Sequence, residues 1–151
     1  TQAALEWYWK RAEVSQEPEK KASMFYEVGT YAWNLLHYQP DRHRGVEAIK
    51  LADQGAEACL RAMALKDRYA EAMIYANLLY LKRVAFEPDE QSRFFSQNRA
   101  FDLRKAAGEI MLERKKAEEA AKGGPTAGEA SAEAGAEAAG GGSDGAVKPS
   151  N

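Results

Sequence analysis

Cysteine is nearly absent: Cys59 stands alone among 151 residues. No disulfide can close within the chain and no thiolate cluster can hold zinc, so a disulfide-stapled secreted scaffold is excluded. A chain of this kind folds equally well in reducing and oxidising surroundings, which leaves cytoplasm and periplasm both open. Long apolar runs are missing too. The longest uncharged stretch, Val28 to Pro40, contains Asn34, His37 and Gln39 and falls well short of the ~20 apolar residues that cross a bilayer. A soluble protein without a membrane span is expected. Charge of one sign is not in excess either: the net charge is -2, so the broad positive field that gathers nucleic acid or anionic lipid is missing, and no nucleic-acid partner is expected. No basic-then-apolar leader opens the chain at Thr1; the expectation is that any such segment was removed or lies outside this sequence.

What is present is unevenly spread. All fifteen aromatic residues precede Gly123, together with 20 basic and 19 acidic residues. From Gly123 onward the chain reads GGPTAGEASAEAGAEAAGGGSDGAVKPSN, with Val147 as its one large aliphatic residue. Such a composition cannot bury enough apolar surface to offset roughly 1–2 kcal/mol of backbone entropy per residue. The division expected is a helical domain over 1–122 and a disordered, acidic Ala/Gly/Glu-rich tail over 123–151.

Upstream, apolar periodicity and proline punctuation place five helices. The first covers about 1–14, with Leu5, Trp9 and Ala12 in phase. Pro18 stands where a first-turn proline is tolerated and Glu19 adds favourable charge at a helix N-terminus, opening a second helix with Phe25, Val28, Ala32 and Leu35 inward. Gly29, among them, leaves room for another backbone to come close. Pro40 and Asp41 mark a break, after which Val46, Ile49, Ala52, Ala56, Cys59 and Met63 form a third stripe. Asp67 is the expected N-cap of a fourth helix, about 68–86, with Met73, Ala76, Leu79 and Tyr80 inward. Pro88 and Asp89 open a fifth, to about Lys116, carrying Phe94, Phe101, Leu103, Ala107, Ile110 and Met111. β-Branched residues are sparse and never alternate, and short links between long helices force antiparallel neighbours, so the fold class is all-α.

An internal repeat adds to this. AEAMIYANLLYL from Ala70 aligns with ASMFYEVGTYAW from Ala22, pairing Phe25 with Met73, Val28 with Ala76, Gly29 with Asn77 and Ala32 with Tyr80. Two hairpins, 19–66 and 68–116, stacked in the same sense account for it. The segment CLRAMALKDRYAEAMIYANLLY, with Ala62 before the turn, Tyr69 and Ala70 after it and Tyr80 at a late aromatic position, resembles the tetratricopeptide repeat family. ALEWYWKRAEV, from Ala4, looks like a B-type helix without its A helix. The offset of 48 residues between Gly29 and Asn77 exceeds that family's ~34-residue period, so loops around Gln39 to Gly45 and Phe86 to Gln91 absorb the excess. The resemblance implies antiparallel helical hairpins stacked as a short solenoid, and the Ala/Gly-rich tail suits a GC-rich bacterial genome.

Residues that would carry chemistry are thin on the ground. His37, Asp41 and His43 fit neither the i, i+4 spacing of one helix face nor a four-ligand loop, so no metal is expected. Cys59 sits among small residues on an apolar face, where a thiol packs and does not react. GGGSDG has linker composition and follows no strand. The basic groups Arg42, Arg44, Lys50 and Arg114 to Lys116 are interleaved with acids. No cofactor is expected and the chain reads as no enzyme. The tetratricopeptide resemblance implies instead a concave wall built by A-helix positions: Tyr26, Thr30, Trp33 and His37, then Ile74, Leu78 and Leu81. That wall is aromatic and aliphatic and lacks the several Lys, Arg and Asn residues of the family's carboxylate clamp. A noncatalytic scaffold or adaptor that binds a protein or peptide segment is the reading. The alternative is an architectural subunit of a larger complex whose apolar faces are covered by neighbouring chains.

Overall fold

In the computed structural model, the residues described are 1–123, and all five regular elements among them are helices: α1 (Gln2–Val14), α2 (Pro18–Tyr38), α3 (Gly45–Leu65), α4 (Ala70–Phe86) and α5 (Glu90–Gly123). The expected 123–151 tail lies outside the described residues but for Gly123. The chain divides into a compact body, Thr1–Arg114, and a second unit from Lys115 onward. Of that second unit the described residues are the last turns of α5, where Lys115 pairs with Glu119 one turn on at 3.9 Å.

Local chemistry fixes three of the five helix starts. The Thr1 hydroxyl accepts from the Ala4 amide, supplying one of the first-turn donors with a partner. Pro18 occupies the first turn of α2. The Asp89 carboxylate accepts from the Ser92 amide at 2.7 Å, starting α5, and that bond holds its pKa below the usual carboxylate range. The helix runs past Lys116 because Ala117 to Lys122 are strong helix formers, and its described part reaches Gly123. The start of α4 differs from the expectation. Asp67 is not its N-cap: Tyr69 holds that position without a side-chain bond, and Arg68 adopts a left-handed backbone with φ of 52°. The turn is held from α5, where Arg114 Nη2 donates to the Arg68 carbonyl at 2.9 Å and Glu113 pairs with the Arg68 guanidinium.

Neighbouring helices run antiparallel. Phe25 of α2 faces Arg61 of α3, Asp53 of α3 pairs with Arg83 of α4, and Glu71 of α4 pairs with Arg114 of α5. Helices α2 and α4 lie side by side in one direction, with Tyr26 against Tyr69 and Trp33 against Tyr75. Helix α1 packs on α2 through Trp9 against Phe25 and Tyr8 against Tyr31.

The core gathers Leu5, Phe25, Val28, Leu36, Leu51, Cys59 and Leu79 around a line of small residues. Helices α2 and α3 come close at Gly29, where an added Cβ would stand 2.2 Å from Cys59 Sγ and 3.2 Å from the Gly55 carbonyl oxygen. Gly55 is closed in on its other side, since its Cβ would meet Ala32 at 2.6 Å and Leu79 at 3.0 Å. Three members of the third stripe behave differently from the rest: Val46 is exposed, and Ile49 and Met63 are half-buried. Helix α3 touches both α2 and α4, so its buried arc widens toward Ala48, Leu51, Gly55, Ala58 and Ala62 and leaves Val46 about 120° from Ala52 at ~100° per residue. On α5, Leu103, Ala107 and Ile110 are buried with Ser96 and Ala100, whereas Phe94, Phe101 and Met111 face outward.

Candidate functional site

Side by side, α2 and α4 present one continuous set of rings. Tyr26 packs on Tyr69 with centroids 5.3 Å apart and meets Tyr75 edge-on at 5.5 Å. Tyr75 in turn meets Trp33 edge-on at 5.8 Å. Trp33 stacks on His37 at 4.3 Å and 13°, and Tyr38 closes the end of the ladder against both. The i, i+4 spacing of Trp33 and His37 puts both rings on one helix face, and the parallel course of α4 brings Tyr75 between Tyr26 and Trp33.

These rings are half-buried, apart from exposed His37 and Tyr38 and buried Tyr69. Burial, then the neighbouring Tyr75 and Tyr69, pushes the Tyr26 hydroxyl up to about 12. Tyr69 is shifted upward too, by burial first and then by Glu71. Both phenols therefore stay protonated and remain hydrogen-bond donors. The hydroxyls of Tyr26, Tyr69 and Tyr75 and the indole N–H of Trp33 donate to no other described residue, whereas Trp9 Nε1 donates to Glu13 at 2.9 Å. Lys66 holds its ammonium 4.6 Å over the Tyr69 ring, a cation–π contact at one end of the ladder. Thr30 spends its hydroxyl on the Glu27 carbonyl at 2.9 Å.

The seven residues of the expected wall do not share one set of contacts. Tyr26, Trp33 and His37 belong to the ladder. Ile74, Leu78 and Leu81 line a groove of about 430 Å³ between α4 and α5, with Asn77, Arg104, Ala107, Gly108 and Met111. The repeat register equated Ile74 with Tyr26 and Leu81 with Trp33, and each set faces the helix that follows its own. Sequence reasoning missed Tyr69, Tyr75 and Tyr38. The signal for Tyr75 was its place beside Ile74 on a helix expected to lie next to α2.

Asn77, the repeat partner of Gly29, is buried and donates through Nδ2 to the Ala100 carbonyl of α5. Where Gly29 lets the next helix touch, Asn77 holds it by a hydrogen bond. A cavity of about 480 Å³ lies among α3, α4 and α5 beside Tyr80, Arg83 and Phe95. Arg83 is fully engaged there, with Asp53 at 2.7 Å, Glu87 at 2.8 Å and the Ser96 hydroxyl at 3.2 Å. It ties three helices together.

Reactive groups are not assembled elsewhere among the described residues. His43 is buried with Nδ1 3.1 Å from Glu47 Oε1. Burial pushes the Cys59 thiol up to about 12, which keeps it protonated and a weak nucleophile. No group of three or more potential metal ligands occurs among the described residues, and no helix there is long and apolar enough to cross a membrane. No family model matches the chain, and neither a curated protein nor a solved structure matches it.

Proposed function

We propose that this chain is a noncatalytic interaction module, a tetratricopeptide-like scaffold or adaptor that takes a segment of a partner protein along the α2–α4 ring ladder. The observation that carries the reading is the ladder itself: six rings in succession, with four phenols and an indole that have no acceptor among the described residues. Flat rings supply large contact area at low entropic cost, and unpaired donors of this kind suit the carbonyls of an extended segment. The rings are positioned by α2 and α4, which lie side by side and run in the same direction.

The test uses the full chain with Trp7→Phe and Trp9→Phe, so that Trp33 alone reports. Peptides selected from a displayed random library should shift Trp33 emission toward shorter wavelength and shield it from acrylamide. Trp33→Ala combined with Tyr75→Ala, the ring that meets Trp33 from α4, should keep the helical circular dichroism and abolish binding. A Trp33 closed to quencher in the free protein, together with a double variant that fails to fold, would make the ladder core and overturn the reading. The architectural alternative draws on a different observation, the outer face of α5.

A further inference from the structure

Helix α5 is apolar on two opposite sides. Its inner side, Ser96, Ala100, Leu103, Ala107 and Ile110, is buried against the body. On its outer side Phe94, Phe101 and Leu112 are 65%, 68% and 53% exposed. Their spacings of seven and eleven residues keep them within about 20° of one line at ~100° per residue. The line runs over about 27 Å at ~1.5 Å per residue. Gly108 lies on it, seven residues after Phe101, where the line borders the α4–α5 groove, with nothing within 4 Å of where its Cβ would be. A mid-helix glycine costs roughly 1 kcal/mol in propensity, and an open one on an apolar line is where another helix can come closest.

Residues 124–151 hold no aromatic and Val147 as their one large aliphatic residue, so they have nothing to set against two phenylalanines. The charges beside the line point to the occupant. Arg104 lies on one flank, Asp102 and Glu109 on the other, and none has an ion-pair partner among the described residues. Arg68, Arg83 and Arg114, on surfaces between helices, are all paired. Two identical helices side by side and parallel bring each flank of one against the opposite flank of the other, matching a residue to the one five positions on. Arg104 then meets Glu109 of the second copy, twice over. An antiparallel pair would set Asp102 and Glu109 against their own kind.

We infer that a second copy of this chain docks on the outer face of α5, the two helices parallel about a twofold axis that runs along them. Phe94, Phe101 and Leu112 each meet their own counterparts, and the helices come closest at Gly108. Asn98 and Lys105 also lie on the line; polar residues at such positions fix register at a cost in stability, so the association is weak and reversible.

Sedimentation velocity on the full chain, in a concentration series from low micromolar upward, should show a monomer–dimer equilibrium. Phe101→Arg and Leu112→Ser should each weaken it at least ~10-fold, about 1.4 kcal/mol, with unchanged circular dichroism and urea midpoint because both side chains are exposed. Arg104→Glu and Glu109→Arg should each weaken it, and the double exchange should restore it. Gly108→Cys should give a disulfide dimer on mild oxidation, with buried Cys59 taking no part. A chain that stays monomeric throughout, a dimer indifferent to Phe101→Arg, or one that neither cross-links at position 108 nor responds to the charge exchange overturns the proposal.

Discussion

Replacing Gly29 by alanine sets two known quantities against each other. In an exposed helix the change would stabilise by roughly 1 kcal/mol through propensity. Here the new Cβ would stand 2.2 Å from Cys59 Sγ, at least about 1.3 Å inside the ~3.5–4.0 Å optimum for non-bonded heavy atoms. The Gly55 carbonyl oxygen at 3.2 Å closes another direction, and Cys59 is 0% exposed, so the thiol has no free space to turn into. Overpacking of this kind costs typically ~1–3 kcal/mol, and with the propensity gain of ~1 kcal/mol taken off the net expectation is a loss of up to about 2 kcal/mol. The sulfur is the chief obstacle, because Cys59 Cβ would be 3.7 Å away, an ordinary contact. Gly29→Ala with Cys59→Ala should therefore recover most of what the first change loses, giving a coupling of at least ~1 kcal/mol in a double-mutant cycle. Gly29→Leu adds three more carbons to the same space and should leave little folded protein. Urea unfolding followed by helical circular dichroism measures all four. A Gly29→Ala midpoint equal to or above that of the parent chain, or a cycle that is simply additive, would refute the close α2–α3 contact.

Three further outcomes are expected. Cys59, buried and pushed up to about 12, should resist thiol reagents in native buffer and react at a rate set by unfolding; labelling at the speed of a free thiol would place it at the surface. Asn77→Ala removes a buried hydrogen bond and should cost ~1–3 kcal/mol, and hydrogen exchange should show α5 opening more readily while α2 and α3 stay protected; uniform loss of protection would count against a local tie. Glu71 is held below the usual carboxylate range by its own backbone N–H and then by Arg114. Such a group stabilises the fold above the titration range of the unfolded carboxylate, and loses that contribution as pH falls through its depressed folded value. The urea midpoint should drop on acidification below the ordinary carboxylate range, less so in Glu71→Gln, and an identical acid profile in both proteins would exclude the contribution.

The number and type of the elements were legible in the sequence because their causes are local. Pro18 and Pro88 set helix starts through fixed φ and a missing donor, and the 3.6-residue recurrence of apolar side chains gave the rest. Gly29 could be singled out because a glycine inside such a stripe has one common physical use, close approach. Tertiary structure alone decided which arc of each helix is covered. Val46 and Phe101 are as apolar as their buried neighbours, yet α3 turns its small residues toward two partners and α5 turns Ser96, Ala100, Leu103, Ala107 and Ile110 toward the body. The ladder has the same origin. Tyr69 and Tyr75 join Tyr26 and Trp33 because α4 runs beside α2 in the same direction, and the spacing of residues along one helix carries no information about the direction of its neighbour.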